Sequence, residues 1–330
     1  MSDAPTVLLA GQMSEPRAAW LAEHLATDWR ITTWSEAEPF ERFAELIVEA
    51  DALVGGRIKG EWPEVPRLRL YQVPFTGYEF LRPEDLPKGC TVCNAYGHEV
   101  AIAEFILAGM LEREIGLSTY DREFREKGWQ GRVPGIGPSH GELCGKTFGI
   151  VGYGHIGKAA AKRAAAFGMR IVAVNRTARS APPPLERLDG LDQLDRLLGE
   201  SDYVLMTLPT APETRGLIDA TKFDLMKTSA TIINVGRAPV IDEEALYNAL
   251  AEKRIGGAFL DVWYGYPAPE DPERPPSRFP IHELDNVIMT PHCSSRSEAS
   301  RERRWMMVPR NLDHLARGEP LDNIALRGSR

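Results

Sequence analysis

Gly152-Tyr-Gly154-His-Ile-Gly157 is the stretch whose residue types and spacing speak most directly of chemistry. It follows an apolar run, Phe148 to Val151, and opens onto Lys158-Ala-Ala-Ala161, a run of small residues. A strand, a glycine turn and a helix in that order form a seat for a dinucleotide pyrophosphate. Gly152 permits the tight turn, Gly154 lets the backbone approach the phosphates, and Gly157 lets the helix pack close to the sheet. His155 and Ile156 lie among the first-turn N–H groups that would hold the anion. The next apolar run ends in Asn175-Arg176-Thr177-Ala178-Arg179. A ribose with a free 2′-hydroxyl calls for a carboxylate at that point, and this segment has none. Arg176 can stack on adenine and donate to a 2′-phosphate, with Asn175 and Thr177 beside it. NADP(H) is the favoured cofactor. NAD(H) is the alternative if Arg176 only stacks.

Four cysteines occur, Cys90, Cys93, Cys144 and Cys293. The first two have CxxC spacing, but Thr91-Val92 reads as strand, and no second pair supplies further metal ligands. No metal site is expected, and so few cysteines fit reduced thiols in a cytoplasmic protein.

These residues must be positioned by α/β units. Short apolar runs (Val7 to Ala10, Ala52 to Val54, Leu68 to Val73, Thr91 to Ala95) alternate with helical patterns, which predicts a mostly parallel sheet. A long helical pattern spans His98 to Tyr120. A glycine-rich arm, Gly128 to Gly145, precedes a second series with strands at 148–151, 170–174, 203–206, 230–234, 257–260 and 287–289. The tail after Ser294 reads as a helix kinked at Pro309. With 330 residues, 43% of them hydrophobic, the chain has material for two cores. Its formal net charge of −8, without a basic tract, argues against nucleic acid or an anionic membrane as partner. No apolar run reaches the roughly 20 residues of a membrane helix, and no signal peptide is apparent.

Several stretches together resemble the D-isomer-specific 2-hydroxyacid dehydrogenases: Leu143 to Gly157, Leu208-Pro-Thr-Ala-Pro-Glu-Thr-Arg-Gly-Leu-Ile218, Ile233-Asn-Val-Gly-Arg-Ala-Pro-Val-Ile-Asp242 and Thr290-Pro-His292. The resemblance implies two Rossmann/flavodoxin-like domains with doubly wound parallel sheets and an active-site cleft between them. Residues 1–98 with 293–330 would form the substrate domain, and 99–292 the dinucleotide domain. It implies Arg237 as the group that binds the carboxylate and keto oxygen of a small anionic substrate, and His292 as general acid/base. Phe75, Thr76, Gly77 and His98 would contact substrate. Leu208, Pro209 and Val235 would line the cofactor, and Asp261 would accept from the nicotinamide carboxamide. A homodimer is implied as well.

One position departs from the family's pattern. A Glu usually follows the motif Asp by five residues and pairs with the His, whereas this chain reads Asp261-Val-Trp-Tyr-Gly-Tyr266-Pro267. A phenol can hydrogen-bond an imidazole but brings no negative charge at neutral pH. Either Tyr266 tunes a keto-acid reductase, the favoured reading, or the substrate is a one-centre anion such as formate or phosphite that needs no proton transfer. Glu270 is a further candidate partner for His292. A non-catalytic nucleotide-sensing corepressor or scaffold is a third, more remote reading.

Overall fold

The computed structural model describes residues 4–12, 14–129, 139–268 and 271–330. The chain divides into two compact units, 1–98 with 298–330 and 99–297. The first contains β1 (Thr6–Ala10), α1 (Ala18–His24), β2 (Arg30–Trp34), α2 (Phe40–Val48), β3 (Ala52–Gly55), β4 (Leu70–Gln72) and β5 (Thr91–Cys93). The second runs through α3 (Glu99–Ile115), α4 (Leu117–Lys127), β6 (Thr147–Val151), α5 (His155–Ala166), β7 (Arg170–Asn175), β8 (Arg187–Gly190), α6 (Leu194–Glu200) and β9 (Tyr203–Met206). It continues with α7 (Ala220–Phe223), β10 (Thr231–Asn234), α8 (Glu243–Ala251), β11 (Gly257–Leu260) and β12 (Val287–Met289). The chain then returns to the first unit as α9 (Glu298–Trp305), α10 (Met307–Arg317) and β13 (Ile324–Arg327).

In the first sheet the order is β13-β5-β4-β3-β1-β2, all parallel except β13, which pairs antiparallel with β5. Its two faces bury separate clusters, one around Phe43, Ile47, Tyr71 and Val92, the other around Leu9, Leu21, Trp305 and Leu312. In the second sheet the order is β12-β11-β10-β9-β6-β7-β8, parallel throughout. The order in which successive strands are added reverses at β6, which lies between β7 and β9. Ligands of doubly wound sheets bind at the carboxyl ends of the strands beside such a point, and Gly152 to Gly157 follow β6 there. Strands buried on both faces explain the continuous apolar runs in the sequence. The central strands β6, β9, β10 and β11 are buried along their whole length.

Several expectations need correction. The helical pattern from His98 to Tyr120 is two helices, because Gly116 takes φ +67°, a conformation that interrupts an α-helix and favours glycine. Six strands were expected in the second sheet, and β8 makes seven. Residues 293–297, expected with the first domain, belong to the second unit. The backbone N–H groups of Cys293 and Ser294 donate to Asp261 at 2.8 and 3.1 Å and tie the segment there. In the tail, the helix is interrupted at Met306, leaving Pro309 in the first turn of α10, where its missing N–H costs little. Much of the Gly128 to Gly145 arm, and Glu270, lie outside the described residues. Among the described residues no helix is long and apolar enough to cross a membrane. Cys90 and Cys93 are buried, and burial pushes both thiols up to about 12, where they are unreactive.

Candidate active site

Arg237 stands just beyond the carboxyl end of β10, presented by a turn that Asn234 closes on itself. The Asn234 amide accepts from the Gly236 N–H at 3.1 Å and donates to the Arg237 carbonyl at 3.2 Å. Glycine suits position 236, where a side chain would be crowded by backbone. A Cβ there would meet the Leu208 carbonyl oxygen at 3.0 Å and the Thr207 Cα at 3.1 Å. The half-buried guanidinium donates to the Gly236 carbonyl at 3.0 Å.

His292 follows β12 in an unusual backbone state, with φ +52°. A non-glycine residue held there stores conformational energy that its surroundings must offset. Asp261 supplies that constraint from the end of β11. Its carboxylate accepts from Thr290 Oγ1 at 2.7 Å and from the Cys293 and Ser294 N–H groups, so it brackets His292 on both sides. Asp261, expected beside the nicotinamide carboxamide, is instead fully buried and has no surface for a cofactor. Its oxygens are turned inward because three donors of the 290–294 loop converge on them.

Tyr266 meets the imidazole: its Oη lies 2.9 Å from His292 Nδ1. The Trp263 N–H donates to the same oxygen at 3.1 Å. With one lone pair engaged, the phenol can point its proton at a bare Nδ1 or accept from Nδ1–H with its other lone pair, so it can hold the ring in either state of that nitrogen. The loop carrying Tyr266 is pinned to the start of α8. Glu243 accepts from Ser277 Oγ at 2.9 Å and from Arg278 N and Nε at 2.8 and 2.7 Å, and Tyr264 Oη donates to the Ile241 carbonyl at 2.9 Å. Nothing local in the sequence signals Glu243, since its partners lie more than 30 residues away.

The electrostatics follow from this packing. Loss of hydration lowers the His292 pKa below the ordinary imidazole value. Asp261 opposes that shift, while Arg237 and Arg296 add to it. Burial raises the Tyr266 phenol above its usual value, against the Trp263 hydrogen bond and the Arg237 charge, so it stays neutral at physiological pH. Arg237 therefore acts electrostatically on both Tyr266 and His292. His292 Nε2 makes no hydrogen bond to protein among the described residues, and a cavity of about 800 Å³ opens beside Tyr266 and His292.

The glycine turn fits a dinucleotide. Gly152 has φ +102°, and a Cβ on it would meet Thr207 Oγ1 at 2.8 Å and a methyl of Leu208 at 3.0 Å. A Cβ at Gly157 would meet the Gly152 carbonyl oxygen at 2.5 Å, whereas one at Gly154 would project into open space, where a pyrophosphate needs room. The first turn of α5 has no side-chain cap, as suits a helix N-terminus that receives an anion. His155 is exposed there, and Ile156 is half-buried. Leu208 and Val235 are largely buried near the sheet's carboxyl edge, with Pro209 exposed after Leu208. Asn175 is half-buried at the end of β7, and Arg176, Thr177 and Arg179 are exposed. Neither arginine is ion-paired among the described residues.

In the first unit, the Thr76 hydroxyl donates to the Ala95 carbonyl at 3.0 Å, and its oxygen lies 3.1 Å from Nδ1 of His98. Asn94 Nδ2 donates to the Thr76 carbonyl at 2.8 Å. The Thr76 and Gly77 N–H groups have no acceptor among the described residues. His98 is buried and braces the loop, and Phe75 packs onto the core of its unit.

A glycine turn at the switch point of a doubly wound sheet defines a dinucleotide-binding α/β protein. The family model "D-isomer specific 2-hydroxyacid dehydrogenase, NAD binding domain" matches residues 107–294. A glyoxylate reductase of Korarchaeum cryptofilum is 32% identical over 330 residues, covering 97% of this chain and 95% of that protein. A glyoxylate reductase of Pyrococcus furiosus is 34% identical over 308 residues, 89% and 88% of the two chains. The crystal structure of a 2-hydroxyacid dehydrogenase family protein from Aeromonas salmonicida superposes with a TM-score of 0.77 at 24% identity, covering 98% of this chain and 99% of that one. The chain belongs to the D-isomer-specific 2-hydroxyacid dehydrogenase family, as an NAD(P)-dependent enzyme that interconverts 2-keto and 2-hydroxy acids.

Proposed function

We propose that the enzyme reduces small 2-keto acids of the glyoxylate and hydroxypyruvate type to D-2-hydroxy acids, with Arg237 and His292 as its reacting pair. The observation that carries this reading is an imidazole held 2.9 Å from a neutral phenol, within the field of a half-buried guanidinium. The names of the glyoxylate reductases at 32 and 34% identity support the substrate class.

Arg237 suits a planar acid because its fork can take the carboxylate and the keto oxygen together. The unengaged N–H groups of Thr76 and Gly77 are of the kind a carboxylate needs, and His98 keeps their loop in shape. His292 donates its Nε2 proton to the keto oxygen and takes it back in the oxidative direction. The nicotinamide, when bound, supplies the hydride chemistry. Tyr266 orients the ring without adding charge: its oxygen accepts from Nδ1–H in the imidazolium and still does so in the neutral ring left when Nε2 gives up its proton, so that Nε2 is bare to take a proton in the oxidative direction. An imidazole with an unshared Nε2 favours proton transfer over the formate-type alternative, for which a general acid is idle. The purified enzyme should oxidise NADPH on addition of glyoxylate or hydroxypyruvate. NADP⁺ reduction on formate or phosphite, with no keto-acid turnover, would reverse the assignment.

Preference for NADP(H) is part of the proposal and rests on Arg176, exposed and without an ion pair among the described residues. Replacing Arg176 with Ala should raise KM for NADPH by about 10- to 100-fold, the value of a charge-assisted contact to a phosphate, and KM for NADH by less than about 3-fold. Equal losses in the two titrations would reduce Arg176 to a stacking role. Exposed Leu117, Phe124 and Trp129, on and just after α4, support a homodimer.

A further inference from the structure

The cavity of about 800 Å³ beside Tyr266 and His292 falls within the roughly 300–1,000 Å³ typical of small-molecule and cofactor sites. Two guanidinium groups, Arg274 and Arg296, line it, and no Asp or Glu does among the described residues. Neither arginine has an ion pair among the described residues, although 47 acidic residues are present in the chain. Arg296 is close enough for its charge to act on the His292 ring. Arg274 is held against the loop that carries Tyr266: its side chain lies 3.4 Å from where a Cβ on Gly265 would stand, and the Gly265 N–H donates to the Pro276 carbonyl at 3.0 Å. Met289 and Trp263 give the same cavity apolar wall. The cavity thus joins the reacting imidazole to two cations across a partly apolar surface.

We infer that this cavity is a subsite for a second anionic group, and that the enzyme prefers 2-keto acids carrying a distal carboxylate or phosphate over glyoxylate. The inference rests on the proposed keto-acid reduction and names the substrate class for it. A chain of a few carbons would lie along Met289 and Trp263, and its far anion would neutralise Arg274 and Arg296. Phosphate and carboxylate share this chemistry, and the planar forks of the two arginines accept either.

The test measures kcat/KM for glyoxylate, 2-oxoglutarate, oxaloacetate and phosphohydroxypyruvate in the wild type and in the variants Arg274→Met and Arg296→Met. The wild type should favour at least one doubly anionic substrate over glyoxylate by 10-fold or more, and whether the carboxylates or the phosphate leads identifies the distal group. Each variant should reduce that preference ratio by about 10-fold, and Arg274→Lys should restore part of it. A preference ratio near one in the wild type, with glyoxylate turned over, overturns the inference and leaves the keto-acid reading standing. If no keto acid is reduced, that reading fails, and calorimetry with succinate then decides the subsite alone. Binding that Arg274→Met abolishes supports it, and absence of binding overturns it.

Discussion

Exchange of His292 for Asn is expected to lower kcat for keto-acid reduction by about 10²- to 10⁴-fold, the usual contribution of a positioned general acid. Asparagine is the informative replacement because it tolerates the left-handed backbone that His292 adopts at φ +52°. The Asp261 bracket on Thr290, Cys293 and Ser294 therefore survives the exchange. KM should change far less than kcat, because the imidazole contributes most when charge develops on the keto oxygen. Steady-state kinetics at a pH below the wild-type imidazole pKa give the cleanest comparison. A loss smaller than about 10-fold would mean that hydride transfer here proceeds without a protein proton donor, as the one-centre-anion alternative requires.

The second large effect is expected at Arg237. Its guanidinium is asked to make two charge-assisted contacts to the substrate, each worth about 1.5–3 kcal/mol. Arg237→Met should thus lower kcat/KM by about 10²- to 10⁴-fold. Arg237→Lys should recover only part of this, since an ammonium keeps the charge but not the planar fork. The turn that presents the residue is held by Asn234 and by the Gly236 backbone, not by the guanidinium alone, so both variants should retain the fold. Circular dichroism and the melting temperature check this. Full recovery with Lys would show that charge suffices and that bidentate geometry plays no part.

The parts of this molecule legible in its sequence are those set by local pattern. The buried strands β6, β9, β10 and β11 read as unbroken apolar runs, and the glycines after β6 stand where a turn and a close helix demand them. The elements missed share one feature: they are sheet edges, where one-sided burial weakens the apolar signal. β2 contains Thr32 and Thr33, β8 reads Arg-Leu-Asp-Gly, and β13 is mostly half-exposed. The roles of Asp261 and Glu243 were hidden for a different reason. A buried carboxylate's partners are backbone N–H groups and side chains brought in by tertiary folding, and no spacing rule announces them. Tyr266 was visible as a departure from a motif, but that the Trp263 N–H holds the phenol oxygen was not. Arg274 and Arg296 carried no signal, being separated in sequence and ordinary in composition.

In the proposed mechanism a neutral phenol, in place of a carboxylate, partners the proton-transferring imidazole. The pH dependence of kcat/KM for glyoxylate reduction, in the wild type and in Tyr266→Glu, tests it most directly. Reduction requires protonated His292, so activity is full below the imidazole pKa and falls as pH rises through it. Because the native ring has a depressed pKa, the wild-type decline should begin below the ordinary imidazole range. A carboxylate at hydrogen-bond distance from the ring is worth about 1–4 kcal/mol, depending on local screening. It should move the decline upward by about 0.7–3 pH units, near 1.4 kcal/mol for each unit. In the oxidative direction the rising limb should shift by the same amount. Superimposable profiles for the two proteins would contradict the account, since they would mean that residue 266 does not govern the proton on His292.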